Sequence, residues 1–348
     1  MRCLTLANAL KEKGQRTLFI CRDFAGNIGK LIRGKGHELY YLPERQNQIV
    51  SIDRVPHASW LGTNWWQDAD ETVAVLRQRF GRPVDWLVVD HYAIDERWEK
   101  AMRPYTKKIM VIDDLADRPH ECDLLLDQNL YEDMDRRYDN LVPPGTVKLL
   151  GPRYALLRPE FYAARQNLRQ RDGTVRRILV FFGGSDVTNE TLKALKAIKM
   201  LNRPDIAVDV VLGSANPHKE EITAFCRDMP QVILYCQVEN MAQLMVQADL
   251  AIGAGGTATW ERCCVGLPVI LLAVADNQKN MVEKLGKAGA AVALGEANLV
   301  KEKDLYQIML RLTQNTEEIK LLSERAFTLV KPVFECKKIA GIMESYLC

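Results

Sequence analysis

The sequence has no long apolar run and no marked excess of charge. Its longest apolar stretch, around 267–275, is far shorter than the roughly 20 residues of a membrane-spanning helix. A net charge of +2 over 348 residues does not indicate an acidic partner, so we expect neither a nucleic-acid nor a membrane partner. An apolar fraction of 47% and a charged fraction of 26% are typical of a globular protein, and this length favours two domains.

Cysteine and histidine usage excludes several common kinds of site. The nine cysteines include no Cys-x-x-Cys pair, and an odd number at irregular spacing predicts reduced, mostly buried thiols in a cytoplasmic protein. The five histidines complete no set at ligand spacing, so we expect no metal. Residues 1–10 lack the apolar core and cleavage site of a signal peptide, and their spacing predicts an amphipathic helix that ends at Gly14.

Short apolar runs alternate with helical patterns along the chain, which predicts an α/β fold of doubly wound parallel sheets. The predicted strands are 17–21, 86–89, 109–112, 124–126, 178–182, 208–212, 232–235, 250–252 and 269–274. The predicted helices after the first are 66–80, 191–200, 219–227, 241–246, 258–265 and 280–287. We predict an N-terminal domain over 1–150, a linker over 151–175 and a C-terminal domain over 176–348.

A doubly wound domain normally opens with a central strand and a glycine-rich turn, whereas this chain opens on a helix. Either the N-terminal domain is built differently, or its first strand is missing from this sequence. The basic run 165–173 is compatible with a phosphate or nucleic-acid patch, but it contains no interleaved aromatic residues. We therefore prefer a solvated helix and linker.

The most informative stretch is 253–278. Gly255 and Gly256 follow an apolar strand, where the missing side chains let the backbone approach a ligand. The helix that follows presents its amide groups and positive dipole end, which favours phosphate near Thr257. Glu261 lies one turn further on, where a carboxylate suits sugar hydroxyls, and Asn277 and Gln278 follow the next strand. Together these residues predict a nucleotide-sugar site.

Two other segments of the C-terminal half are candidates for the same site. Gly183-Gly184-Ser185-Asp186 lies between a strand and a helix, which indicates either a phosphate loop or a close strand–helix turn. It matches neither the dinucleotide motif nor the P-loop. At the start of another helix, the backbone of Asn240 and Met241 could pair with a base edge, or Asn240 could simply cap the helix.

Asp90-His91-Tyr92 follows a predicted strand in the N-terminal half, so it should lie at the carboxyl edge of the sheet. There His91 could act as a general base and Tyr92 could contact substrate. The alternative is a turn in which Asp90 caps the next helix. Asp113-Asp114 has the same placement, but a carboxylate at a strand end more often caps a turn.

At this point the sequence resembles a known family, the UDP-2,4-diacetamido-2,4,6-trideoxy-β-L-altropyranose hydrolases of pseudaminic acid biosynthesis. The stretch 253–278 alone is shared more loosely with UDP-GlcNAc transferases of the glycosyltransferase-B fold. The segments that carry the resemblance are MRCLTLA at 1–7, VVDHY at 88–92, IDDLADR at 112–118, HECD at 120–123, DQN at 127–129, YALLRPEF at 154–161, GGSD at 183–186, and 253–278.

The resemblance implies two Rossmann-like domains facing across a cleft, with UDP mainly on the C-terminal domain. It implies that water attacks the anomeric carbon with inversion and releases UDP, without a metal or other cofactor. The expected partner is a small-molecule UDP-sugar, and we expect a monomer. By resemblance the substrate-side residues are Asn240 and Met241 near uracil, Glu261 on the ribose, Gly255, Gly256 and Thr257 near the diphosphate, Arg158 and Asn277 near substrate, and Tyr92 on the sugar side.

The sequence departs from the family at its start. In the family a strand leads into Gly-x-Gly-His before the segment that matches Met1-Arg2-Cys3, and that histidine is the proposed general base. We interpret Met1 as an internal methionine or the sequence as truncated, and expect little hydrolase activity, with His91 a weak substitute base. The alternatives are a UDP-sugar glycosyltransferase of the same fold and a catalytically dead nucleotide-sugar-binding protein.

Overall fold

A computed structural model describes residues 1–24, 26–44, 53–330 and 336–347. The chain divides into two compact units. Unit 1 comprises the described residues of Met1–Leu156 and Phe334–Cys348, and unit 2 those of Leu157–Val333. The boundaries predicted from the sequence differ at the carboxyl end, where they assign 334–348 to the second domain.

The secondary structure alternates between strands and helices, as predicted. The strands are β1 Leu18–Arg22, β2 Glu38–Leu42, β3 Val84–Val89, β4 Thr106–Ile112, β5 Leu124–Asp127, β6 Val147–Leu150, β7 Arg177–Phe181, β8 Ala207–Leu212, β9 Val232–Cys236, β10 Leu250–Ala254, β11 Val269–Ala273 and β12 Val292–Glu296. The helices are α1 Arg2–Glu12, α2 Gly29–Gly34, α3 Trp65–Arg79, α4 Glu96–Met102, α5 Pro159–Gln166, α6 Glu190–Leu201, α7 Lys219–Cys226, α8 Met241–Gln247, α9 Ala258–Cys264, α10 Lys279–Lys287, α11 Glu302–Gln314, α12 Thr316–Leu329 and α13 Cys336–Ser345.

The described strands of unit 2 form one parallel sheet in the order β12-β11-β10-β7-β8-β9. The first strand of the unit, β7, is therefore central, and the chain builds outward on one side before it returns to the other. This is the strand order of a dinucleotide-binding Rossmann fold. The order reverses between β7 and β10, so a crevice is expected beyond the carboxyl ends of these two strands, where such sheets bind ligands.

The core of unit 2 follows from the alternation of apolar residues along its central strands. Val180 and Ile252 are completely buried and pack in one cluster with Leu195 of α6 and Leu312 of α11. Since parallel strands are covered by helices on both faces, their sequences are nearly continuous apolar runs. These runs made β7, β8, β10 and β11 predictable.

The described strands of unit 1 form two parallel sheets, β1-β2 and β3-β4-β5-β6. The carboxyl-terminal helix α13 belongs to this unit because its apolar residues Ile339 and Met343 share a buried cluster with Leu6 of α1. The Trp86 indole N–H also donates to the carbonyl of Met343 at 3.0 Å. Lys13, which follows α1, also forms an ion pair of 2.7 Å with Glu344 of α13.

Three strands, β2, β6 and β12, are missing from the strands predicted from the sequence. Each lies at the edge of its sheet. Residues at an edge are covered on fewer sides, so their sequences mix charged or small residues with apolar ones, as in Glu38–Leu42 and Val292–Glu296. The apolar run by which a strand is recognised in the sequence is therefore short in these three strands.

Most residues of the basic run 165–173 are exposed, as expected of a solvated segment, but two of its arginines contact helix ends. Arg165 donates to the carbonyl of Cys264 at the end of α9, at 2.9 Å. Arg171 donates to Met245 at 3.0 Å and to Val265 at 2.8 Å, beside the ends of α8 and α9. Carbonyls at a helix carboxyl end have no partner within the helix, so these arginines satisfy them. Burial lowers the pKa of Arg171 to about 10. None of the described helices has the length and apolarity to cross a membrane.

Candidate functional site

Two glycine-containing loops meet at the point where the strand order of unit 2 reverses. Gly253 of β10 pairs with Phe181 of β7, so the loops that follow these strands start side by side. Gly183 has a φ of +99°, and the Cβ positions of Gly183, Gly184 and Gly256 face open space. The backbone of both loops can therefore be approached closely, as predicted for a ligand loop.

Gly255 has a different role from the one expected. A Cβ on Gly255 would lie 2.5 Å from Cγ2 of Val282, so glycine is needed there for packing against α10. Its amide N–H donates to Leu272 at 2.9 Å, and that of Gly256 donates to Ala254 at 3.2 Å. These two amides shape the loop in this structure and are not free donors.

Asp186 is a helix cap. Its two carboxylate oxygens accept from the amides of Glu190 and Thr191 at 2.9 and 3.0 Å. Asp186 is buried, and its φ of +41° turns the chain sharply into α6. The negative charge also lies at the positive end of the helix dipole. Of the two interpretations of this segment, the strand–helix turn therefore holds for Asp186, while Gly184 and Ser185 remain exposed.

Arg262 is a residue that the sequence analysis did not single out. The residue is 1% exposed, and Nη2 of its guanidinium donates to the carbonyl of Ala254 at 2.6 Å, where the loop after β10 begins. Gly253 leaves room for this group, since a Cβ there would lie 2.8 Å from Nη1 of Arg262. Burial lowers the pKa of Arg262 to about 10, and the group is still cationic at neutral pH. It places a positive charge beneath the loop.

Glu261 and Arg158 lie together in unit 2. Nε and Nη2 of Arg158 both lie 3.1 Å from Oε1 of Glu261, and Nη1 lies 2.8 Å from Glu160. Burial raises the pKa of Glu261, and the neighbouring Arg158 opposes that rise. The pairing of two predicted substrate residues shows that they share one location, which their separation in sequence could not reveal.

The predicted base-binding segment contains one exposed and one buried residue. Asn240 is exposed, and its side chain makes no capping hydrogen bond to α8 within the described structure. Met241 is 5% exposed and is therefore buried. A groove of about 520 Å³ between α5 and α8 includes Asn240 and Glu160 in its lining. It adjoins the predicted base position and lies away from the glycine loops.

The loop after β11 is shaped by Gln278, whose Oε1 accepts from the amide of Val274 at 3.1 Å. Asn277 lies beside it, half-buried, in a short 3-10 helix, Asp276–Gln278. Thr257 is the residue that precedes α9 and is also half-buried.

The carboxyl edge of the four-stranded sheet in unit 1 is organised by Arg2 of α1. Its guanidinium approaches Asp90 at 2.7 Å and Asp114 at 2.8 Å, and so joins the ends of β3 and β4. Burial alone would raise the pKa of Asp90, but Arg2 holds it below its usual range. Asp90 therefore does not cap the next helix, which Asp95 caps instead. This role of Arg2 could not be predicted from the sequence, because its partners are about 90 and 110 residues away.

His91 is held in a geometry that does not suit a general base. Its Nδ1 accepts the amide N–H of Ala93 at 3.1 Å. Burial lowers the pKa of His91, so the ring is neutral and carries its proton on Nε2. A neutral ring in this tautomer presents a donor at Nε2.

Asp113 caps a turn, as expected. Its Oδ2 accepts from the amide of Ala116 at 2.9 Å and from the hydroxyl of Tyr138 at 3.0 Å. Arg118 pairs with its Oδ1 at 3.0 Å. In the described ranges, no group of three or more histidine, cysteine, aspartate or glutamate side chains is arranged to hold a metal ion.

Tyr92 belongs to a cluster of three rings. Its ring centroid lies 5.9 Å from that of Trp60 and 5.9 Å from that of His57, and the His57 and Trp60 centroids are 4.5 Å apart. The sequence analysis predicted Tyr92 at this edge but not its two neighbours, which come from the segment before α3.

The strand order and the loops at the reversal point define unit 2 as Rossmann-like, and solved structures that share the fold of the chain are of the glycosyltransferase-B class. Residues 177–333 match the family described as Glycosyltransferase family 28 C-terminal domain. MurG of Acinetobacter baumannii shares the fold with a TM-score of 0.65 at 15% identity, over 99% of this chain and 95% of that one. The predicted fold class is confirmed.

Two curated proteins are similar in sequence. The spore coat polysaccharide biosynthesis protein SpsG of Bacillus subtilis is 31% identical over 242 residues, which cover 68% of this chain and 70% of SpsG. The UDP-2,4-diacetamido-2,4,6-trideoxy-β-L-altropyranose hydrolase of Campylobacter jejuni is 27% identical over 207 residues, 59% of this chain and 72% of that protein. The chain belongs to the glycosyltransferase-B-like family that contains SpsG.

Proposed function

We propose that the protein binds a UDP-linked sugar through unit 2 and breaks the bond between the anomeric carbon and the diphosphate. The observation that carries this proposal is the pair of adjacent loops, open at Gly184 and Gly256, at the reversal point of a Rossmann sheet. Similarity to a curated UDP-sugar hydrolase supports the choice of nucleotide.

The diphosphate is proposed to lie against Gly256 and Thr257. The buried cation of Arg262 below this loop favours an anion, because a charge in a poorly solvated position interacts strongly with its neighbours. Arg262 acts on the ligand through the loop and through its field, as a positioning residue. Gly183, Gly184 and Ser185 form the other wall of the same crevice.

The ribose is proposed to bind at Glu261. Both contacts from Arg158 fall on Oε1, and they orient the carboxylate and favour its ionised form. An ionised carboxylate accepts hydrogen bonds from a diol. Asn240 and the backbone of Met241 are then the proposed contacts of uracil.

The finer proposal is hydrolysis of a UDP-diacetamido-trideoxy sugar. A water oxygen bonds to the anomeric carbon and loses a proton to solvent, the carbon–oxygen bond to the diphosphate breaks with inversion, and the electron pair leaves on UDP. Asn277 of unit 2 is a proposed sugar contact. His91 is not proposed as the base, because its Nδ1 accepts from Ala93 and its Nε2 carries a proton.

Incubation of the purified chain with this UDP-sugar and no acceptor tests the reaction. A hydrolase releases UDP and free sugar in equal amounts. The match to a glycosyltransferase domain supports a second candidate, a transferase, which would release UDP only when an acceptor is added. If calorimetry shows that UDP binds but no UDP is released from the UDP-sugar with or without an acceptor, both activities are contradicted. The protein would then be a nucleotide-sugar-binding protein.

Titrations with UDP and 2′-deoxy-UDP test the ribose contact. A hydrogen bond to a charged group contributes about 1.5–3 kcal/mol, so the wild-type protein should bind the deoxy compound roughly tenfold more weakly or worse. Glu261→Gln should bind UDP more weakly and lose most of this discrimination. Glu220→Gln, at an exposed site on α7, is the matched control. If Glu261→Gln prefers UDP over 2′-deoxy-UDP as strongly as the wild type does, the ribose assignment is refuted.

A further inference from the structure

The segment 128–138, which follows β5 in unit 1, is tied to the end of β4 by the side chains of Tyr131 and Arg137. The hydroxyl of Tyr131 donates to the carbonyl of Asp114 at 2.6 Å. Nη2 of Arg137 donates to the carbonyls of Asp114 and Leu115, both at 2.8 Å. The guanidinium carbon of Arg137 also lies 3.4 Å from the centroid of the Tyr131 ring. The segment therefore rests on the carboxyl edge of its own sheet through a few polar contacts.

A third tie is the hydroxyl of Tyr138, which lies between two buried carboxyl groups. Its oxygen is 3.0 Å from Oδ2 of Asp113, 3.1 Å from the carbonyl of Asp113 and 2.9 Å from Oδ2 of Asp127. Tyr138 and Asp113 are completely buried, and Asp127 is 2% exposed. A phenol has one hydrogen, so it cannot donate to both carboxylates at once. With both groups ionised, one pair of oxygens would be in contact without a hydrogen between them, and one additional proton removes this conflict.

Asp113 stays ionised because it lies beside a cation and hydrogen-bond donors. Nη1 of Arg118 is 3.0 Å from its Oδ1, and the amide of Ala116 donates to its Oδ2 at 2.9 Å. Nε2 of His120, whose Nδ1 lies 2.8 Å from Glu99, is 3.9 Å from the same Oδ2. Burial alone would raise the pKa of Asp113, but Arg118 and the neighbouring donors hold it below its usual range.

Asp127 is the carboxyl group that takes the additional proton. Burial raises its pKa to about 7, and the charge of Asp114 acts in the same direction. The amide of Asn129 at 2.9 Å and Nε of Arg137 at 3.1 Å act against this rise without overcoming it. Asp114 is itself paired with Arg2, whose Nη1 lies 2.8 Å away.

We propose that a proton on Asp127 clamps the segment 128–138 onto the sheet of unit 1, and that loss of this proton loosens the segment. In the clamped state Asp127 donates to the hydroxyl oxygen of Tyr138, which in turn donates to Asp113. When Asp127 ionises, its proton leaves to solvent and two carboxylates face a single hydroxyl hydrogen. The clamp is a pH-sensitive device within unit 1, and it does not depend on the proposed function.

Hydrogen exchange of peptides that cover 128–141 tests the clamp. In the loosened segment the pKa of Asp127 returns to about 4, so between about pH 5 and 7 the clamped state binds the extra proton. As the pH rises through this range, protection of the wild type, corrected for intrinsic exchange, should fall up to about tenfold per pH unit and then level off. Asp127→Asn donates through its amide and has no titratable proton, so its protection should not depend on pH. Asp135→Asn, at an exposed position of the same segment, should keep the wild-type dependence.

Protection that is independent of pH in the wild type, or the same dependence in Asp127→Asn, would overturn the inference. If Asp127→Asn does not fold, infrared difference spectra of the wild type and Tyr138→Phe decide the question. The wild type should show the carbonyl stretch of a hydrogen-bonded carboxylic acid at about pH 5 that disappears by about pH 8, and Tyr138→Phe should shift this band. A wild type without such a band, or a band that Tyr138→Phe leaves unchanged, would equally refute the clamp.

Discussion

Replacing Asp186 with alanine removes the acceptors for two amide groups at the start of α6. The donors are the N–H groups of Glu190 and Thr191, and both residues are almost completely buried, so solvent does not readily replace the carboxylate. A buried donor left unsatisfied costs about 1–3 kcal/mol. Loss of a negative charge at the helix start adds about 0.3–1 kcal/mol.

The backbone at this position increases the cost. Asp186 has a φ of +41°, a region that aspartate and asparagine tolerate better than alanine, by about 1 kcal/mol. We therefore expect Asp186→Ala to lower the free energy of unfolding of unit 2 by at least about 3 kcal/mol, the lower limit of these contributions. Asp186→Asn keeps one acceptor and tolerates the conformation, so about 1 kcal/mol is expected.

Urea unfolding measures the global effect, and hydrogen exchange of peptides from α6 measures the local one. Asp205→Ala, on the exposed surface of the same unit, should change stability by less than about 0.5 kcal/mol. Because Asp186 is a cap, folded Asp186→Asn should bind UDP within about twofold of the wild type. Normal exchange of α6 together with a large loss of UDP affinity would refute this reasoning and make Asp186 a ligand group.

Gly255→Ala should destabilise unit 2 by about 1–3 kcal/mol, because the new Cβ would clash with Val282. In the double variant, Val282→Ala should remove that cost. If the losses of stability in the two single variants simply add up in the double variant, as measured by thermal unfolding, the clash is contradicted. The folded-state pKa of His91 lies below its unfolded value of about 6.5, so the unfolded state binds the extra proton and stability should fall as pH decreases below that value. His91→Asn can still accept from Ala93, and it should show a smaller loss of stability at low pH in urea titrations. The same dependence of stability on pH in His91→Asn and the wild type would be inconsistent with a buried neutral ring. Arg171→Met should destabilise the ends of α8 and α9 by about 2 kcal/mol, seen as faster hydrogen exchange there, whereas unchanged exchange would mean that water satisfies those carbonyls.

The strand, loop and helix that carry the candidate site in unit 2 were predictable because their sequence signals are local. An apolar run that ends in Gly255-Gly256 identifies a strand, a loop and the start of a helix from adjacent residues, and β10 and α9 appear where they were expected. The same holds for Asn277 after β11. What these patterns could not show was which glycine faces open space, since a Cβ on Gly255 would meet Val282 of a later helix and one on Gly256 would not.

Side chains with distant partners were not predictable. The arginines of the basic run bind carbonyls at the ends of α8 and α9, which lie far from the run in the sequence and next to it in the fold. Arg2 and Trp60 carried no signal of their own.

The order of apolar and polar residues along the chain by itself determined the alternation of strands and helices and the position of the glycine loops, because backbone geometry responds to near neighbours. Tertiary structure alone decided the pairing of Arg158 with Glu261, the burial of Arg262 beneath Ala254, and the docking of α13 on unit 1. Those contacts depend on which segments meet in space, and a charged or aromatic side chain acquires its role from the groups that surround it.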